Sequence, residues 1–321
     1  MSQGTASRRH TSKVLLAFAI IYFAWGSTYL AIRVGVHEVP PFLLAAMRFL
    51  VAGIVLYGWM RARGTPSPTA REWGAATLLA VLFFVCDYGL VFWAERRVPS
   101  GMTAVMMALM PVFMTLSEVL IMKTQRLTLR LGAALLVGIG GVAVLVGHTG
   151  ASVDAPVDTL GACALIFASI SWSVGSALAR KLALPSAKAM SSGAQMLAGG
   201  VLLLLTAALL GEFHGFHPQA VTIKAWFALV YLIVAGSIVA FTAYIWLLHH
   251  ESPTKVGTYG YVNPVVAVLL GYFFAGEAIG SRTIVGAALI LVSVVAITMA
   301  PHGAAKSLVA DKAEEAGQVE A

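Results

Sequence analysis

Charge is what this chain has least of. Only 11% of its 321 residues are Asp, Glu, Lys or Arg, and 59% are hydrophobic. Soluble domains carry about 25% charge and about 45–50% apolar residues. Most of the surface therefore faces something other than water. Cysteine is nearly absent: Cys86 and Cys163 both lie in apolar runs, where cysteine packs as a small hydrophobe. Two residues so placed make no metal-ligand pattern and report nothing of the redox compartment. The glycine-rich phosphate loop that ends in Lys-Ser or Lys-Thr is missing, which argues against ATP drive within the chain. There is no basic stripe with interleaved aromatics, so nucleic acid is not an expected partner. His249-His250-Glu251 comes nearest to a metal motif. Adjacent histidines point to different helix faces and no further ligand shares the run, so it reads as a surface loop; neither metal nor cofactor is expected.

What the chain has in quantity is long apolar runs. A bilayer core about 30 Å thick needs about 20 apolar helical residues. Ten stretches qualify: Val14–Ile32, Phe42–Met60, Trp73–Trp93, Met102–Met122, Leu131–Val146, Thr159–Ala179, Met190–Leu210, Ala225–Leu248, Val256–Ala275 and Thr283–Met299. Transmembrane β-strands would instead alternate over about ten residues. The first run is too long for a signal-peptide core and no small-residue cleavage site ends it, so it reads as a retained span. Lys and Arg are unevenly shared between the connections. With the N-terminus inside, 15 of the 21 fall on the inner side and 5 on the outer, while Arg48 lies within a span. That bias predicts that both termini are cytoplasmic: residues 1–13 as an N-terminal segment and 300–321 as a disordered tail.

The two halves echo each other. Ser27 follows Trp25-Gly26 as Ser173 follows Trp172, and Ala52-Gly53 recurs as Gly199-Gly200 at an offset of 147. Met110-Pro111-Val112 recurs as Asn263-Pro264-Val265, and Gly132-Ala133-Ala134-Leu135 as Gly286-Ala287-Ala288-Leu289. The expected fold is all-α and integral to the membrane, with ten transmembrane helices in two five-helix repeats, 14–147 and 158–299. Five is odd, so the second repeat enters from the opposite side and the pair is inverted. Inverted repeats give one fold two related tilts, with a solute site between them.

These residues carry a family resemblance. Trp25-Gly26-Ser27-Thr28-Tyr29, Arg48, Val98-Pro99-Ser100-Gly101 and Pro111 stand in the first half; Ser171-Trp172-Ser173, Ser252-Pro253, Tyr261-Val262-Asn263-Pro264 and Gly276-Glu277 stand in the second. In that order, and in both halves, they resemble the EamA-type members of the drug/metabolite transporter superfamily, and within it the YedA-like exporters. The resemblance covers residues 14–299. It implies a ten-helix fold and export of metabolites or drugs, and it leaves the substrate open.

Candidate site residues follow from depth and chemistry. Tyr22, Trp25, Gly26, Tyr29 and Arg33 share one face of the first span; Ser169, Trp172, Ser173, Ser176 and Arg180 share one face of the sixth. Aromatic faces hold an organic solute and hydroxyls orient it; close helix packing explains the same small and hydroxyl residues. Arg48 and Asp87 are ionisable groups inside spans, at matched depths of about 10 Å from the outer end. Such groups face a bundle interior or a water-filled cavity. A structural ion pair between them and a substrate or proton role for Asp87 are the two readings. Tyr88, beside Asp87, joins the substrate-binding set with Ser27. Pro111 and Pro264 occupy matched positions, where a missing backbone hydrogen bond suits a hinge or a plain kink. Tyr259, Tyr261 and Asn263 precede Pro264 at the inner end, and Glu118 lies near the inner end of the fourth span.

The expected function is transport by alternating access, as a secondary-active exporter in a bacterial inner membrane. The expected partners are a small-molecule substrate and the lipid bilayer, with proton coupling and oligomeric state open. An enzyme acting on lipid would need acids, histidines or cysteines clustered at one membrane face. A channel would need a ring of like charge. The sequence offers neither.

Overall fold

The computed structural model describes residues 2–117, 119–120, 128–146, 158–179, 181–250 and 259–298. Glu118, Arg180 and Glu251 lie outside the described residues, as do the side chains of Pro111, Tyr261 and His249-His250.

Every regular element described is helical. Helix α1 (Ser2–Val36) starts well before the apolar run, so the polar N-terminal residues extend it as helix. Helix α2 (Pro41–Ala62) begins with Pro41 at its first position, where the lost N–H has no intrahelical partner to miss. Helix α3 (Ala70–Ala80) starts on a capping box between Thr69 and Glu72. It widens into a π stretch over Val81–Gly89 before α4 (Leu90–Ala94). Helices α5 (Ser100–Met107) and α6 (Met110–Ser117) follow, then α7 (Leu129–Val146), α8 (Thr159–Ala179) and α9 (Lys188–Leu209). Helix α10 (Ile223–Tyr231) passes through a second π stretch, Leu232–Val239, into α11 (Ala240–His250). Helices α12 (Tyr259–Ala275) and α13 (Ser281–Thr298) close the sequence of elements.

One predicted span departs from a continuous helix. The fourth breaks at Ala108-Leu109, between α5 and α6. Pro111 explains the break: its nitrogen carries no hydrogen to donate to the Met107 carbonyl four residues back. The same proline sits comfortably in the first turn of α6. Pro264, by contrast, lies inside a continuous α12.

Among the described residues, six helices are long and apolar enough to cross a bilayer: Thr11–Val36, Pro41–Ala62, Ala70–Ala94, Thr159–Ala179, Lys188–Leu209 and Ile223–Tyr244. Four shorter apolar helices accompany them, over Ser100–Met114, Leu129–Val144, Val262–Ala275 and Ser281–Ala296. Large apolar side chains such as Leu16, Ile54, Leu205, Phe227 and Phe273 point outward, as a lipid-facing belt requires. The chain is an integral membrane protein.

Small residues let the helices approach. Helices α2 and α9 pack closely side by side. A Cβ added at Gly53, Gly193 or Gly200 would stand 2.7–2.8 Å from a backbone nitrogen of the other helix. In lipid, where apolar surface gains little from leaving the solvent, such close contact supplies the packing energy. Helix α7 lies on α13, where Ser293 Oγ donates to the Ala134 carbonyl at 2.6 Å. Helix α1 packs on α12 and on α10–α11, while α8 packs on α5–α6 and on α3–α4.

Candidate functional site

Arg48 organises the centre of the bundle. It stands on α2 and is 2% exposed. Its Nε donates to Ser237 Oγ at 2.9 Å. Ser237 sends its own proton to the Leu232 carbonyl, five residues earlier, at 3.0 Å. The wide π turn sets that offset, so the second π stretch turns Ser237 into an acceptor for Arg48. The guanidinium also lies over aromatic rings, with Cζ 4.7 Å from the centre of Phe49, 5.2 Å from Tyr88 and 5.9 Å from Phe92. These faces stabilise a cation removed from water. Arg48 Nη1 remains buried without a hydrogen-bond partner.

Asp87 belongs to the first π stretch and is also 2% exposed, with Oδ1 buried and unpartnered. Arg48 and Asp87 do not pair. Successive residues of a helix face different ways, and it is Tyr88, not Asp87, whose ring lies under the guanidinium. Asp87 instead sits within electrostatic reach of Tyr29, Tyr88 and Tyr259.

An arc of rings runs through this centre. Tyr88 meets Phe49 at 4.7 Å and Trp172 at 5.9 Å, and Trp172 meets Phe83 at 4.7 Å. Trp25 meets Tyr259 at 4.9 Å and Tyr244 at 5.2 Å. The two ring clusters are joined by Gly236-Ser237. Trp25 Nε1 donates to the Gly236 carbonyl at 3.1 Å. A Cβ at Gly236 would stand 2.8 Å from Thr28 Cγ2 and 3.2 Å from Arg48 Nη2, so a side chain here would crowd both. The structure thus brings together Trp25, Tyr29, Arg48, Asp87, Tyr88, Trp172 and Tyr259, drawn from both halves.

Other predicted residues are used in packing. Ser27 is held by the Phe23 carbonyl and the Tyr231 hydroxyl, both at 2.5 Å. Ser173 donates to the Ser169 carbonyl at 2.7 Å and reaches the Met110 carbonyl of α6 at 3.3 Å. Ser176 bonds back to the Trp172 carbonyl at 2.8 Å. Asn263, with its amide nitrogen turned inward, donates to the carbonyls of Tyr22 at 3.3 Å and Tyr259 at 3.1 Å, tying α12 to α1. Arg33 is a tether: its Nη1 donates to the carbonyls of Glu95 and Val98.

Sequence reasoning missed Ser237, Gly236, Tyr244, Phe83 and Phe92. The repeat held a signal for two of them. Offsets of 147 and above place the counterpart of Asp87 at or beyond position 234, which leads straight to Gly236-Ser237. Two clefts lie away from this centre. One, of about 420 Å³, runs between α1 and α11 past Lys13, Leu16, Ile20 and Trp246. The other, of about 280 Å³, lies among Glu38, His214 and His217. The centre itself holds the two ring clusters.

Among the described residues, a helical membrane bundle that buries Arg48 and Asp87 among aromatic rings from both halves fits the class of membrane transporters. The comparisons identify which. The chain belongs to the EamA-like transporter family, which matches it twice, over residues 12–147 and 159–299. It is 34% identical over 288 residues to the inner membrane transporter YedA of Escherichia coli K12, covering 89% of this chain and 90% of that one. It is 28% identical to protein PecM of Dickeya dadantii over 85% of this chain and 88% of that one. A solved protein structure matches with a TM-score of 0.58 at 24% identity, covering 90% of this chain and 97% of that chain, a likeness of fold.

Proposed function

We propose that this chain is a ten-span secondary-active exporter of small organic solutes, working by alternating access between two inverted repeats in a bacterial inner membrane. Both termini are cytoplasmic in this reading. The observation that carries it is the pair of buried, unpartnered charges, Arg48 Nη1 and Asp87 Oδ1, in an aromatic-lined centre between the halves. Buried ionic groups without partners are costly, and in a membrane they mark solute or ion pathways.

The packing supports the repeat. Exchange the first five helical stretches for the second five, and each major contact recurs. Helix α2 on α9 and α7 on α13 map onto themselves, α1 on α12 maps onto α8 on α5–α6, and α1 on α10–α11 maps onto α8 on α3–α4. Both third stretches carry a π segment. The short helices fit a crossing as well: the 17 residues of α12 rise about 26 Å, close to the thickness of the core. The name of YedA places that relative in the inner membrane.

The aromatic arc suits amphipathic or aromatic solutes. A lone deep cation argues against phosphate-bearing ones, which call for two or more cations. Asp87 is the residue for any coupled proton. Uptake into proteoliposomes, measured for a panel of metabolites against concentration, tests the reading. Saturable flux is expected for at least one solute. Flux that rises in strict proportion to concentration identifies a channel and overturns it.

A further inference from the structure

Three glutamates outside the transport centre share one face of the bundle, the face where α1 ends and α2 begins. Each closes on a helix of the other half. Glu38 accepts from the Thr222 N–H at 2.6 Å and its hydroxyl at 2.7 Å, at the start of α10. Glu212 accepts from the N–H of Leu43 at 2.8 Å and of Phe42 at 3.4 Å, at the start of α2. Glu277 takes the Ser100 N–H at 2.7 Å and hydroxyl at 2.8 Å on Oε1, and the Gly101 N–H at 3.0 Å on Oε2, at the start of α5.

The local sequence explains why the caps come from afar. The first N–H groups of a helix lack intrahelical partners and carry the positive end of its dipole. Helices α2 and α5 open on Pro40 and Pro99, which offer no side-chain cap. The acids arrive by a shared device, a Gly-Glu pair at a helix end. Gly211 (φ +70°) ends α9 and Gly276 (φ +65°) ends α12, and each turns the chain so that the next residue, a glutamate, reaches sideways. Gly271 leaves room for the latch, since a Cβ there would collide with Glu277 Oε2.

We propose that Glu277, seconded by Glu212 and Glu38, latches a gate at this face, and that these caps must release for the centre to open there. The surroundings of Glu277 hold groups that its closed form leaves unsatisfied. Glu95, after α4, is 0% exposed with both carboxylate oxygens unpartnered, and lies within electrostatic reach of both Glu277 and Arg33. Thr103 Oγ1, one turn along α5 from Ser100, is buried without a partner too. A second buried carboxyl within electrostatic reach of the latch, and an idle hydroxyl one turn along α5, leave the closed face with unsatisfied polar groups, which disfavours permanent closure. The device belongs to one side by sequence. The offset of 154 that joins Gly132 to Gly286 sets Lys123, not an acid, against Glu277.

The inference rests on the alternating-access reading, and its test needs no substrate, so its failure leaves the flux measurement standing. Amide hydrogen exchange is followed by mass spectrometry on the full chain in lipid nanodiscs. Glu277→Gln, which keeps the volume and loses the charge, is expected to speed exchange at least tenfold in the first turn of α5. It is also expected to speed exchange in the second π stretch and in the Trp25 region of α1, deep in the bundle. An increase confined to the first turn of α5 means a local cap and overturns the gate. Should Glu277→Gln fail to fold, a cross-linked variant, folded with its bond already formed, decides. A Cβ at Gly271 would stand 3.2 Å from Ser100 Oγ, within reach of a disulfide. Ser100→Cys with Gly271→Cys is built in a Glu277→Ala chain that lacks Cys86 and Cys163. Oxidation should restore slow exchange in the deep segments and reduction should release it. Equal deep exchange in both states rejects the gate.

Discussion

At the scale of single residues, the account rests on Trp25, Trp172, Arg48 and Asp87. The indoles border the centre from opposite halves, Trp25 against Tyr244 and Tyr259, Trp172 against Phe83 and Tyr88. Trp25→Ala and Trp172→Ala should each cut flux about tenfold, as the loss of about 1.4 kcal/mol of stacking would do, while the protein stays inserted and monodisperse. Wild-type flux in both variants would assign the rings to packing. The charges make a second prediction. Arg48 leans on Ser237 and three rings, and Asp87 Oδ1 is buried without a partner, so the two share no direct bond. A double-mutant cycle of Arg48→Ala and Asp87→Ala on thermal stability should therefore be additive within about 0.5 kcal/mol. Coupling of 2 kcal/mol or more, on the order expected for a buried ion pair, would show that they meet after all.

At the scale of elements, hydropathy alone carried the sequence reading a long way. The boundaries it set fall near end signals it did not use: Thr69 with Glu72, Pro41 at a first position and Gly211 at a helix end. The two π stretches were not legible. They need no proline or glycine at a fixed place, only a neighbour that stabilises the wider turn, here Arg48 on Ser237. The charge pairing expected from matched depth failed because depth says nothing of azimuth: Tyr88 faces Arg48, and Asp87 does not. Pro111 was visible, but not its outcome as a full break between α5 and α6. The Gly276-Glu277 motif was visible as a pattern, while its partner, the bare N-terminus of α5 in the other half, emerges only from tertiary structure.

The straps between elements also make a prediction with pH. At the exposed Glu38, the Thr222 N–H, then its hydroxyl, holds the carboxyl below its ordinary value, with Lys224 and His37 adding to the effect and slight burial opposing it. A carboxyl whose pKa falls on folding contributes stability above its unfolded value of about 4.3. That contribution disappears as the pH drops through the folded value. Glu38→Gln should lower the melting temperature by about 1–2 °C at pH 7, the small effect expected of an exposed contact, and the difference should shrink as the pH falls through the folded value. An undiminished difference at pH 3 would show that the strap does not depend on the charge.

At the scale of the whole molecule, the proposal is one of symmetry and orientation. Two matches to one family model in tandem, and helix contacts that recur when the halves are exchanged, suit a pair of repeats that rock about a shared centre. The proposed orientation rests on the Lys and Arg count. A reporter active only outside the cytoplasm should be silent when fused after Ala300 and active when inserted beside His217. The reverse pattern would invert the chain, and activity at both points would break the ten-span arrangement.

The central claim, that solute crosses by alternate exposure of a centre between the halves, is tested most directly by trans-acceleration. Proteoliposomes are loaded with an unlabelled solute that shows saturable uptake, and entry of the same labelled solute from outside is timed. A carrier returns faster loaded than empty. The account predicts faster labelled entry into loaded vesicles than into empty ones, with the effect reduced in parallel by Trp25→Ala and Trp172→Ala. Labelled entry at the same rate into loaded and empty vesicles, and proportional to outside concentration, would contradict it.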